Sequence, residues 1–198
     1  MTGARGITGV EVLARLAAAD PWSFTVYDTL TRKLGHGEIV GVTRIKSWRV
    51  DFDLEPDGAM AAAAKLLQET ALLVNPNRDR WSVRLARGGP PGGMPGQRIW
   101  RKQSDSRSAM VVRVSDLDDP VGKSVARVLR TRLGMAEVRQ VGFSWVWVLE
   151  TSAGPGPARR IAADVAVSRS WRRGLLSNPH YQRAEVFTAE EYLPEGEV

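Results

Sequence analysis

The sequence predicts an α+β protein: two tandem β-α-β-β-α-β modules, ferredoxin-like and docked on each other as a pseudo-dimer. Three observations predict it. A set of anchors recurs in the same order in both halves of the chain. Apolar residues repeat with helical and strand periods at matching places, and a Gly/Pro-rich stretch separates the halves. The expected boundaries are 1–85 for the first module, 86–108 for a linker, and 109–198 for the second module with a short acidic C-terminal tail.

The anchors are specific. Asp20-Pro21 returns as Asp119-Pro120, 99 positions on, and Leu34-Gly35 with Glu38-Ile39 returns at the same offset as Leu133-Gly134 with Glu137-Val138. Ser47-Trp48 matches Ser144-Trp145 at offset 97, and Leu72-Leu73-Val74-Asn75-Pro76 matches Leu175-Leu176-Ser177-Asn178-Pro179 at offset 103. Shared order over such a length argues for duplication rather than chance.

Each element has a local reason. The first strands alternate apolar and polar residues, as in Val10, Val12, Ala14 and again in Met110, Val112, Val114. Asp-Pro starts a helix, with the carboxylate at the N-cap and proline in the first turn. Val26, Leu30 and Leu34, like Val125, Leu129 and Leu133, form one apolar stripe, and the glycine after it supplies a positive-φ stop. Residues 38–45 with 47–55, and 137–142 with 143–150, are expected as hairpins. Second helices are expected over 57–74 and 157–176, closed by Asn75-Pro76 and Asn178-Pro179, and last strands near 79–85 and 181–187. Helices would cover one sheet face only. In 143–150, however, Phe143, Trp145, Trp147 and Leu149 lie on one side while Val146 and Val148 lie on the other. A strand apolar on both sides is buried on both, so the second sheet must meet something more, the first module or a partner.

The net charge of +6 is concentrated. Residues 1–85 carry eleven Lys/Arg against ten Asp/Glu, 109–198 carry twelve against eleven, and 86–108 carry five against one. The excess reads as a solvated linker rather than a folded basic face, which disfavours nucleic acid as a partner. Trp100 is unusual in such a linker and is expected to dock on a domain surface. No apolar run is long enough for a membrane span and no signal-peptide pattern opens the chain, so the expected location is the cytoplasm.

Catalytic chemistry is not apparent. The chain has no cysteine, hence no thiol nucleophile, and its two histidines, His36 and His180, sit singly after helix ends. Gly88-Gly89-Pro90-Pro91-Gly92-Gly93 is no phosphate loop, because prolines lack N–H donors and no helix follows. Asp116, Asp118 and Asp119 read as helix-start acids. Arg159-Arg160 and Arg172-Arg173 read as a solvated face of the last long helix. No catalytic, cofactor-binding or metal-binding residue is assigned. Arg44 and Lys46, with Trp145 and Trp147, are the candidate partner or anion contacts.

These motifs, in this order, resemble the PurS family, the small subunit of phosphoribosylformylglycinamidine synthase. The second half has Asp119-Pro120-Val121-Gly122, Leu133-Gly134, Glu137-Val138, Val141-Gly142 and Leu176-Ser177-Asn178-Pro179. The first has Asp20-Pro21, Leu34-Gly35, Glu38-Ile39, Arg44-Ile45-Lys46 and Leu72-Leu73-Val74-Asn75-Pro76, with Ser23 where the family has a helix-start glycine. The resemblance covers roughly 8–85 and 109–188. It implies an accessory subunit of de novo purine synthesis, not catalytic alone, that bridges a glutaminase and a synthase for ammonia delivery. ATP and Mg²⁺ would belong to the synthase partner, none would be bound by this chain, and self-association is compatible with it. The alternative is a repurposed tandem scaffold, or a module for an anionic ligand or nucleic acid.

Overall fold

The computed structural model describes residues 6–86, 93–94, 99–100, 104, 106–170 and 173–193. Strand β1 is Thr8–Leu16, helix α1 Pro21–Asp28, β2 Ile39–Phe52, α2 Pro56–Glu69 and β3 Asp79–Leu85. After a two-residue strand β4 (Gly93–Met94) come β5 (Ser108–Asp116), α3 (Pro120–Arg132), β6 (Val138–Thr151), α4 (Pro155–Ala166), β7 (Gln182–Thr188) and the short α5 (Ala189–Tyr192). Helix α1 continues through a π-helical turn, Thr29–Lys33. The class is α+β.

The seven strands form one sheet in the order β4-β3-β1-β2-β6-β5-β7, and every pairing is antiparallel. Its centre is the β2–β6 ladder, which runs from Ile39↔Thr151 to Phe52↔Val138 with Ser47 opposite Ser144. The two serines matched in the sequence therefore face each other, and the strand order reads alike outward from them: β2-β1-β3 on one side, β6-β5-β7 on the other.

The two expected hairpins are corrected. Residues 39–52 and 138–151 are each one uninterrupted strand of 14 residues. Neither Arg44-Ile45-Lys46-Ser47 nor Gln140-Val141-Gly142-Phe143 contains the Asn-Gly, Asp-Gly or Gly-Gly pair a tight turn needs. With nothing to reverse it, each strand continues past the end of its first neighbour and pairs with the other.

The second helices are also shorter than expected. Helix α2 ends at Glu69 and α4 at Ala166, each followed by a residue with extended backbone, Thr70 and Val167. In the second half the amides of Leu175 and Leu176 both donate to the Val165 carbonyl and cap the helix from the returning chain. Arg173 thus lies off the helix, and Arg172 lies outside the described residues. Asn75-Pro76 and Asn178-Pro179 do not cap helices but open turns into the last strands. Asn75 Oδ1 accepts from the Asn77 amide and Asn178 Oδ1 from the His180 amide. Asp79 Oδ2 then returns to the Asn75 amide, as Gln182 Oε1 does to the Asn178 amide. An Asx-turn needs a short polar side chain and no helix, and that is why asparagine stands at both places.

The core has three parts. The first joins Val10, Val12, Val50, Phe52 and α2 to Val125, Ala126 and Leu129 of α3. The second joins Met110, Val112, Leu149 and α4 to Val26 and Leu30 of α1. Each half's first helix therefore completes the core of the other half. By strand alternation, the third part lies on the opposite sheet face, where Ile99, Trp100, Ala189, Tyr192 and Leu193 cover Leu13, Ile45, Val111, Val146 and Val148. The expectation of helices on one face only is corrected: α5 occupies the second face. Trp100 docks as expected, 8% exposed. The second face of β6 meets the chain's own Ile99-Trp100 and α5. Of the predicted linker, Arg87, Arg98, Arg101 and Lys102 lie outside the described residues. Arg107, which is described, bonds the Glu150 carboxylate.

Candidate functional site

Strand β1 stops pairing with β2 at Ala14↔Lys46, whereas β6 follows β2 back to Ile39. One edge of residues 39–45 is thereby left without a strand, and the loop after β1 and helix α1 fill in beside it. Asp20 fastens this junction. Its Oδ1 accepts from the Trp22 amide and its Oδ2 from the Ser23 hydroxyl, at 3.2 and 2.8 Å. Arg44 closes on the same carboxylate in a two-pronged bridge, Nε and Nη2 each at 3.0 Å, while its amide donates to Ser23 Oγ. The guanidinium also lies 4.3 Å from the Trp145 ring centroid, 5.6 Å from Trp22 and 5.9 Å from Trp147. A planar cation sandwiched by rings and forked by a carboxylate is held rigidly.

Three of the four predicted contacts, Arg44, Trp145 and Trp147, are thus brought together, with Arg44's donors directed to Asp20. The fourth, Lys46, lies opposite Trp145 in the β2–β6 ladder but turns its amine to Asp79 at 3.2 Å. Trp145 also meets Phe143 edge-on at 5.1 Å. The Ser23 hydroxyl, donating to Asp20 and accepting from the Arg44 amide, ties α1 to the strand edge.

The same junction in the second half uses a different device. Asp119 has φ +41°, and its carboxylate accepts from the Gly122 and Phe143 amides, both at 2.8 Å. The helix start here approaches β6 so closely that a Cβ on Gly122 would overlap the Val141 carbonyl and the Asp119 carboxylate. Among the described residues no arginine bonds this carboxylate. Asp118 pairs with Lys123 and Asp116 accepts from Gln182. Among the described residues no group of three or more His, Asp or Glu is placed to hold a metal ion. His36 Nε2 lies 3.8 Å from an Asp164 carboxylate that Arg173 also contacts.

Beside the Asp20–Arg44 bridge opens a cleft of about 400 Å³, walled by Arg15, Leu16, Ala18, Ala19, Phe24, Tyr27, residues 40–43 and Glu150. Its charges are unequal. Arg44 is matched by Asp20, and Glu150 by Arg107 at 3.3 Å. Arg15 is matched by no carboxylate among the described residues, and its Nε is buried without a hydrogen-bond partner among them. Burial, and then the charge of Arg80, hold this guanidinium below its ordinary pKa. Sequence reasoning passed over Arg15, which looks like any polar residue of an alternating strand; only the early end of the β1–β2 ladder makes it a cleft residue.

Fold and site together define a class: an α+β protein with a single antiparallel sheet covered on both faces, whose edge cleft is lined by two guanidinium groups, Arg15 and Arg44. No protein-family model and no curated protein matches the chain. Among the described residues no helix is long and apolar enough to cross a membrane.

Proposed function

We propose that this chain is a PurS-like accessory subunit of phosphoribosylformylglycinamidine synthase, two modules fused as a covalent pseudo-dimer. Without catalytic groups of its own, it bridges a glutaminase that releases ammonia and a synthase that uses ATP and Mg²⁺, in the cytoplasm. The observation that carries the reading is the ladder about Ser47 and Ser144, with each first helix packed into the opposite half. A pair of like subunits joined strand to strand would be built this way, and fusion raises the effective concentration of one for the other.

The exposed apolar residues support a role in docking. Trp22, Phe24 and Tyr27 stand out from α1, and Leu117, Val121 and Leu133 stand at the ends of α3. The two first helices therefore expose different apolar residues, three rings along α1 and separate aliphatic side chains at the two ends of α3. Two different partners would call for that divergence.

Reconstitution tests the reading. Glutamine-dependent amidine formation by the glutaminase and synthase subunits, assayed with and without this chain, should rise at least tenfold when it is present. Activity with ammonia supplied directly should change little. Equal glutamine-dependent rates in both mixtures would refute the proposal.

A further inference from the structure

The cleft beside α1 sets the exposed rings of Phe24 and Tyr27 beside charges that a bridging role does not use. Arg15 and Arg80 are direct cross-strand partners on β1 and β3. Like charges so placed repel each other, and no acid among the described residues relieves Arg15. Arg80 is exposed and outside the cleft, while Arg15 forms part of its wall. The cleft therefore presents a single uncompensated positive charge. Across from it the buried Glu150, held by Arg107, disfavours a second negative charge on any occupant. Gly41 pairs with Glu150 in the β2–β6 ladder, and its missing side chain leaves the floor open. On the outer side stand the rings of Phe24 and Tyr27, 63% and 37% exposed.

We propose that this cleft binds a small organic monoanion, a carboxylate on a planar apolar body. Arg15 takes the carboxylate and Phe24 and Tyr27 flank the body. A guanidinium fork matches a carboxylate in two parallel hydrogen bonds. Binding would offset the repulsion from Arg80. The volume is at the lower end of small-ligand pockets, which suits an occupant the size of a single substituted ring. Inorganic phosphate, carrying up to two negative charges at neutral pH and no apolar body, fits less well beside Glu150. The inference does not depend on the purine reading.

The test is an amide chemical-shift titration of the intact chain with benzoate, with benzamide as the neutral molecule of the same shape and inorganic phosphate at matched ionic strength. Benzoate should shift the amides of Ala18, Ala19, Gly41 and Thr43 saturably. Benzamide should bind at least tenfold more weakly, and phosphate should leave these amides in place. Arg15→Gln should weaken benzoate at least tenfold without loss of thermal stability, since it removes a repelled charge. Gly41→Val should also abolish binding, by filling the floor while the guanidinium remains; a Cβ there makes ordinary contact with Glu150. Unchanged benzoate affinity in either variant, equal affinity for benzamide, equal shifts with phosphate, or no response to benzoate would each overturn the proposal.

Discussion

At the scale of single residues, the molecule rests on a few buried polar groups that are fully matched. Glu11 on β1 is 6% exposed; its Oε1 accepts from Ser47 and Tyr192 at 2.6 and 2.7 Å, and its Oε2 accepts Nε and Nη2 of Arg84 at 2.9 and 2.7 Å. Arg84 Nη1 reaches on to the Tyr192 carbonyl. Burial alone would raise the carboxyl's pKa. Arg84 and the two hydroxyls outweigh it and hold Glu11 below the ordinary glutamate value, while burial and the Glu11 charge push the Tyr192 phenol well up. Because the folded value is depressed, the stabilisation is present above the unfolded value, about 4.3, and is lost as pH falls through the folded value. Glu11→Ala takes the carboxylate away from a buried guanidinium and two hydroxyls and should cost about 3–5 kcal/mol at pH 7. In urea unfolding, the gap to the unmodified chain should narrow as pH drops below 4. A gap independent of pH would contradict this assignment.

Gly122 is the other residue with a sharp prediction. Gly122→Ala forces a methyl into the Val141 carbonyl and the Asp119 carboxylate, and should destabilise by about 1–3 kcal/mol. Equilibrium denaturation measures it, and a neutral result would mean that α3 and β6 are further apart. The residue-scale features were unevenly legible in sequence. The Asp-Pro caps were readable because their partners are two or three residues away. The Asp20–Arg44 and Glu11–Arg84 bridges were not, because they span 24 and 73 positions and depend on strand register.

At the scale of elements, what was readable is what local chemistry determines. Strand alternation in β1, β5 and β6, the Asp-Pro starts and the glycine stops at Gly35 and Gly134, with φ +78° and +66°, all stand where periodicity and turn chemistry placed them. The long strands were split into hairpins because a strand of 14 residues beside a neighbour of nine makes sense only with a second partner, which local pattern does not reveal. The helix ends failed for a related reason. Leu73 and Val74 are buried, so an apolar run looks helical although its backbone is already a loop. Trp100 is the clearest long-range success, since an isolated tryptophan in a Gly/Pro-rich stretch has to find apolar cover. Together with Ile99 it shields β6's second face, so Trp100→Ala should cost about 3–5 kcal/mol. A thermal shift of only a degree would mean that α5 alone suffices as cover.

At the scale of the whole molecule, the recurring anchors of the sequence meet in one continuous sheet. The halves lie side by side in one sheet: β2 and β6 share its central ladder, and α1 and α3 each pack on their own half's long strand while completing the core of the other half. Neither half retains a complete core without the other's first helix, so unfolding should be one cooperative event. This mutual dependence was not legible in the repeat, because a helix stripe has the same local pattern whichever half's core it covers. It also explains how the two junctions could diverge, one closed by Arg44 on Asp20 and one by the Phe143 amide on Asp119, while the sheet stayed symmetric about its centre.

The most direct test of that architecture is a proton NMR contact between the two long strands. Phe143 directs its amide to Asp119 and away from β2, so Trp48 and Phe143 face each other as a non-hydrogen-bonded pair, with Cα atoms about 4.5 Å apart. A strong Hα–Hα Overhauser effect between Trp48 and Phe143 is the expected result. Its absence, together with cross-strand effects joining residues 39–45 to 47–52, would show a hairpin in place of the shared ladder and contradict the account.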